Sequence, residues 1–142
     1  MVRSAVLPPE PPRIAMTDSL IVDTATRIFA DLCEPGIINA AEEGRWAEAL
    51  WGALEESGLT LAWVPDDLGG AGAGMIDGFA VLRVAGRFAA PVPLAETLLA
   101  GWLLAAARIA APPGPMTIAP VHEDGRIELG ADGRLRGRAR HV

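Results

Sequence analysis

The chain has 142 residues, a formal net charge of −6 and 51% hydrophobic residues. That length allows one core-forming domain, or one domain and the beginning of a second. The acidic balance excludes a general nucleic-acid binder. Charge is unevenly placed: seven arginines against fourteen acids make residues 1–115 net −7, and five against four make residues 116–142 net +1. Lysine, tyrosine and glutamine are missing throughout, a bias of composition with no functional content. Cys33 is the single cysteine, so no intrachain disulfide forms and a cytoplasmic, reducing setting is expected.

Residues 1–15 hold Pro8, Pro9, Pro11 and Pro12 rather than an apolar run. They are expected to be a Pro-rich flexible tail and not a signal peptide. Residues 16–113 are read as a helical domain. Its first helix is expected from about Asp18 to Cys33, with Ile21, Ala25, Ile28, Phe29 and Leu32 on the buried face and Pro35-Gly36 as terminator. A second helix, about Arg45 to Ser57, carries Trp46, Ala49, Leu50, Ala53 and Leu54 as its stripe, with Trp51 beside it and Gly58 at its C-terminal cap.

An apolar stretch, Leu59 to Val64, then runs into Pro65, which stops it from continuing as a central strand. A loop with Gly69, Gly70, Gly72 and Gly74 follows. Pro65, Gly69, Gly70 and Gly72 are read as a rigid structural crossing between helix pairs, since glycine admits positive φ and close approach.

The third helix is expected from about Ile76 to Ala89, burying Phe79, Leu82, Val84, Ala85 and Phe88. Arg83 and Arg87 form its polar strip, a solvated edge or a subunit ion pair. Pro93 suits the first position of a fourth helix, Leu94 to about Ala111, and Glu96 suits its positive end. That helix is apolar almost all round, but its unbroken run, Leu98 to Ala107, is too short for a membrane span. It belongs at the centre of a bundle or in a subunit contact.

Pro112-Pro113-Gly114-Pro115 marks a boundary. Beyond it the period becomes strand-like: Met116 to Val121, Arg126 to Leu129 and Arg134 to Val142, with turns at His122–Gly125 and Ala131-Asp132-Gly133. Arg134, Arg136, Arg138 and Arg140 alternate along one face, read as a solvated or interface surface. The fold class is therefore mainly α, an up-and-down bundle of about four helices followed by a short, incomplete antiparallel β segment at residues 114–142. An open strand edge of this kind calls for a further strand or a partner.

No familiar catalytic pattern emerges. The glycine loop lacks a third glycine where Met75 or Asp77 stands, so it is not a dinucleotide fingerprint, and no Lys-Ser/Thr makes it a P-loop. Amides at the following helix start offer an anion site as the alternative to a purely structural loop. His122 and His141 make no zinc set with the distant Cys33. Cys33 reads as an inert thiol and Glu42-Glu43 as an exposed pair. No catalytic, cofactor-binding or metal-ligating residue is assigned.

The order of motifs does resemble a known family. Trp46 through Leu59 is a helix ending in Gly58-Leu59. Val64-Pro65-Asp66 and Gly69-Gly70-Ala71-Gly72 follow, then Gly86-Arg87, then Pro93-Leu94-Ala95-Glu96-Thr97. Together these are similar to the N-terminal helical domain of the acyl-CoA dehydrogenases, with Met116–Ala119 and Leu135-Arg136-Gly137 resembling the opening of the family's middle β-domain. The resemblance implies an FAD-dependent oxidoreductase that removes hydrogens from the α and β carbons of acyl-CoA thioesters. In that family most flavin contacts and the carboxylate base lie in later segments, which implies a chain inactive on its own that binds no FAD alone. It implies a homo-oligomer or a complementary subunit carrying the rest of the fold. The alternative is a non-catalytic helical interaction subunit pairing with a flavin-bearing partner chain. By the Pro-Leu-x-Glu-Thr match, Leu94, Thr97 and Leu98 are the expected wall of an acyl pocket, against buried helix packing as the plainer reading.

Overall fold

The computed structural model describes residues 19–120 and 127–138. Five helices precede a two-stranded hairpin: α1 Ser19–Leu32, α2 Pro35–Glu42, α3 Glu48–Glu56, α4 Met75–Arg87, α5 Leu94–Ala106, β1 Ile127–Leu129 and β2 Leu135–Gly137. Two short 3-10 turns, Leu59–Leu61 and Asp66–Leu68, separate α3 from α4. Helix α1 packs against α3 and α4, and α5 packs on the first 3-10 turn. Apolar side chains from all four long helices meet in one core, with Ala25, Phe29, Leu50, Leu54, Val81, Leu94 and Leu98 fully or almost fully buried. Phe29 stacks on Phe88 at 6.2 Å between ring centroids, fixing the end of α4 against α1.

Several local expectations are corrected. Pro35-Gly36 does end α1, but it also opens a helix. Glu34 is extended (ψ 158°) and Pro35 takes the first helical position, where its missing N–H costs nothing. The bundle therefore has five helices where about four are expected, the extra one lying half-buried through Ile37 and Ile38. Helix α3 starts at Glu48 rather than Arg45, so its stripe turns. Trp46 stands outside the helix at 49% exposure, while Trp51, expected beside the stripe, is buried with Leu50 and Leu54. The apolar stretch Leu59–Val64 forms a 3-10 turn and bend. Phe79, expected in the core, is 57% exposed, because the buried face of α4 runs through Gly78, Val81, Val84 and Ala85.

Helix α5 stops at Ala106, short of Ala111, where Arg108 enters a left-handed turn (φ 58°) and Ile109 donates its N–H back to the Leu104 carbonyl. Met116–Pro120 has no regular secondary structure and joins no ladder among the described residues. The hairpin pairs Ile127 with Gly137 and Leu129 with Leu135 in antiparallel register. Gly130 donates to the Arg134 carbonyl and Gly133 (φ 73°) to the Gly130 carbonyl. The expected Ala131-Asp132-Gly133 turn is thus a three-residue hairpin loop, with glycine at the left-handed position. Asp132 also anchors Arg136, at 2.6 Å. The expected tail at residues 1–15, the His122–Gly125 turn, and Arg140 and His141 fall outside the described residues.

Two helical glycines show opposite physics. A Cβ on Gly78 would overlap the Trp63 indole, whereas one on Gly52 would meet nothing within 4 Å. Gly78→Ala is expected to cost about 1–3 kcal/mol by overpacking. Gly52→Ala is expected to gain about 0.5–1 kcal/mol from lower chain entropy in the unfolded state; urea unfolding of both variants measures the difference. Cys33 donates its thiol to the Phe88 carbonyl (3.2 Å), and burial pushes its pKa above the ordinary value. The folded chain therefore holds this proton longer than the unfolded chain. The stability it confers is present below the ordinary thiol pKa and is lost as pH rises through the folded one. Alkylation of Cys33 near neutral pH is expected to be slow in the native chain and to reach the rate of a free thiol in urea.

Candidate functional site

The crossing between α3 and α4 is held by its own backbone. Gly70 donates to the Pro65 carbonyl (3.1 Å), Ala71 to Leu61 (3.2 Å), Gly72 to Val64 (2.9 Å) and Ala73 to Ala62 (2.8 Å). Gly69 and Gly72 have φ of 84° and 60°, and a Cβ on Gly70 would overlap the Val64 carbonyl. Gly74 donates to the Asp77 carboxylate at 3.2 Å. The glycine amides are thus spent inside the loop, and the loop presents no row of free N–H groups to an anion. On the exposed side, Asp67 pairs with Arg108 at 3.0 Å, a surface contact worth at most about 1 kcal/mol.

This crossing places Trp63 between the core and the surface. Its Nε1–H donates to the Met75 carbonyl at 3.3 Å, and its ring meets Phe79 edge-on with centroids 5.1 Å apart. Trp63 and Phe79 form one side of a groove of about 330 Å³. Met75 and Leu82 from α4, and Ala95, Leu99 and Trp102 from α5, complete it. The lining is wholly apolar, and its outer members are well exposed: Met75 44%, Phe79 57%, Leu99 41% and Trp102 41%. A second groove, of about 360 Å³, lies between α5 (Ala100, Leu103, Leu104) and the segment Met116–Ala119.

Leu94, Thr97 and Leu98 lie on the inward stripe of α5, one residue round the helix from the stripe that lines the Trp63 groove. All three are at most 2% exposed, with Leu94 and Leu98 in the core. Thr97 donates to the Pro93 carbonyl and accepts from the Met116 N–H. The groove is instead lined by Ala95, Leu99 and Trp102, at i, i+4 and i+7. A signal for them exists: α5 is apolar on every side, so a second stripe at this spacing is readable in the residues. Among the described residues no cluster of His, Cys, Asp or Glu could hold a metal ion. No described helix is long and apolar enough to cross a membrane.

The profile of the acyl-CoA dehydrogenase N-terminal domain matches residues 16–109. Acyl-CoA dehydrogenase IpdE2 of Mycobacterium tuberculosis (strain ATCC 25618 / H37Rv) is 33% identical over 91 residues, covering 62% of this chain and 29% of that relative. The chain thus matches less than a third of the relative's length. No solved structure matches the chain. The family is generally FAD-dependent, and the groove can be tested for fit to that group. A flavin dinucleotide needs donors for its pyrophosphate and ring edges. The groove's single side-chain N–H, on Trp63, is already given to Met75, so its lining does not fit FAD. An apolar groove on two packed helices, a helical bundle leading into a short antiparallel hairpin, and a profile match across most of the helical part together make one conclusion: the chain belongs to the acyl-CoA dehydrogenase N-terminal domain family.

Proposed function

We propose that this chain is the N-terminal portion of an FAD-dependent acyl-CoA dehydrogenase acting on the α and β carbons of acyl-CoA thioesters in the cytoplasm. On this reading residues 16–113 are its helical domain and residues 114–142 the start of its β-domain. The flavin and the base come from segments beyond those described or from a partner chain, and the chain alone is inactive. The observation that carries this reading is the match of the acyl-CoA dehydrogenase N-terminal domain to residues 16–109.

The chain's own residues bind and exclude water. Met75, Phe79, Leu99 and Trp102 offer an apolar wall to an acyl tail or to a neighbouring protein surface. Exposed apolar area of this kind is stabilised when covered, at about 25 cal/mol per Å². Leu94, Thr97 and Leu98 support that wall from inside by fixing α5 in the core. The same exposed side chains favour a second reading, a non-catalytic helical subunit that pairs with a flavin-bearing chain. In either case the working form is an assembly, a homo-oligomer or a complex with a complementary subunit.

Purified alone, the 142-residue chain is expected to show no flavin absorbance and no turnover of acyl-CoA with an artificial electron acceptor. Turnover by the lone chain would contradict the reading. Co-expression with a flavin-bearing chain separates the two alternatives. Activity in the complex that falls on Trp102→Arg substitution, with complex formation retained, supports a substrate wall. Loss of the complex itself supports the interaction subunit.

A further inference from the structure

The segment leaving α5 is not a plain linker. From Gly114 to Ala119 its residues alternate: Gly114, Met116 and Ile118 are half-buried, while Pro115, Thr117 and Ala119 are exposed. That period of two is the signature of a strand lying on a surface, yet no ladder partner stands beside it among the described residues. Two side chains of the bundle hold it instead. The Glu55 carboxylate accepts the Gly114 N–H at 2.9 Å. The Thr97 hydroxyl accepts the Met116 N–H at 3.1 Å and lies 3.3 Å from the Met116 carbonyl.

One threonine hydroxyl thus serves both backbone groups of Met116, as a neighbouring strand would. Its single hydrogen has two acceptors, the Pro93 carbonyl at 2.8 Å and the Met116 carbonyl at 3.3 Å. Thr97 is 1% exposed and its bonds to the segment are part-buried, whereas the Glu55–Gly114 bond is exposed. Met116 Cε lies beside Gly101, 3.8 Å from where a Cβ would stand there, an ordinary packing distance, while the closer approach at this glycine is to Val64 Cγ2 at 3.0 Å. At the start of the segment Gly114 has φ of 95°, open to glycine and strained for other residues, and it sits between Pro113 and Pro115.

We propose that residues 113–119 are a latched strap. Thr97 is the inner latch, Glu55 the outer catch and Gly114 the hinge. The strap lifts as a unit from Ala100, Leu103 and Leu104 of α5 while the helical core stays folded, and the second groove widens as it does so. Thr97 is a positioning residue in this account, since it acts on the path of the following segment.

Residue-resolved amide exchange on the 142-residue chain tests the proposal. In the unmodified chain, Met116 is expected to be protected yet to exchange faster than Val81 in the core of α4. Equal exchange at Met116 and Val81, or no protection at Met116, would overturn it. Thr97→Val keeps the shape of the side chain and removes the hydroxyl. It is expected to speed Met116 exchange about tenfold relative to Val81, whereas Thr97→Ser keeps it within about threefold. Because the strap opens as a unit, Glu55→Gln is expected to speed exchange at Gly114 and Met116 together, by less than Thr97→Val does. A Thr97→Val chain whose Met116 exchanges no faster relative to Val81 would overturn the latch, and the measurement on the unmodified chain stands even if a variant fails to fold.

Discussion

The indole of Trp63 lies against the backbone of α4 at Gly78 and gives its N–H to the Met75 carbonyl. No side chain larger than hydrogen fits at Gly78 with that ring in place, so the two residues define how closely the crossing and α4 approach. Burying an indole of roughly 150–250 Å² at about 25 cal/mol per Å² contributes on the order of 4–6 kcal/mol as an upper estimate. The crossing also touches α5 through Val64 and Leu61 at Gly101. A short, irregular segment therefore ties α4 and α5 to α3, and its glycine amides are closed inward to make it rigid.

Much of this was legible in the residues because local chemistry and tertiary packing agree there. The stripe of α1, the cap at Gly58 and the left-handed glycines at 69 and 72 stand where periodicity and turn chemistry place them. The misplacements have physical causes. Pro35 looks like a breaker because proline ends helices, yet the same ring suits a first turn. Trp46 and Phe79 look like core residues because aromatic burial is the common case. Their positions were decided by the phase of α3 and α4 against the crossing, which no single stripe contains. Gly114–Ala119 has a strand's alternation without a ladder among the described residues, and a threonine hydroxyl on α5 serves both backbone groups of Met116 instead.

The candidate site was only partly legible. The Pro-Leu-x-Glu-Thr stretch marks residues on the inward face of α5, while the exposed groove is lined one residue further round by Ala95, Leu99 and Trp102. A helix apolar on all sides conceals which stripe faces the interior. What resolves it is the partner: Thr97 is the polar residue of the inner face, and it is tolerated there because its hydroxyl is fully engaged. With the inner face fixed, the outer faces of α5 are free to present apolar surface. One helix thus fills the core with its inner face and leaves an apolar outer stripe exposed.

The account turns on the crossing behaving as part of the folded core rather than as a loop draped over it. Amide exchange under native conditions tests this directly at Gly72 and Ala73, whose N–H groups bond the Val64 and Ala62 carbonyls at 2.9 and 2.8 Å. Both are predicted to exchange only through the global unfolding that exposes Val81 in α4, with the same free energy and the same denaturant dependence. Exchange at Gly72 and Ala73 through a small local opening, while Val81 keeps its protection, would contradict it.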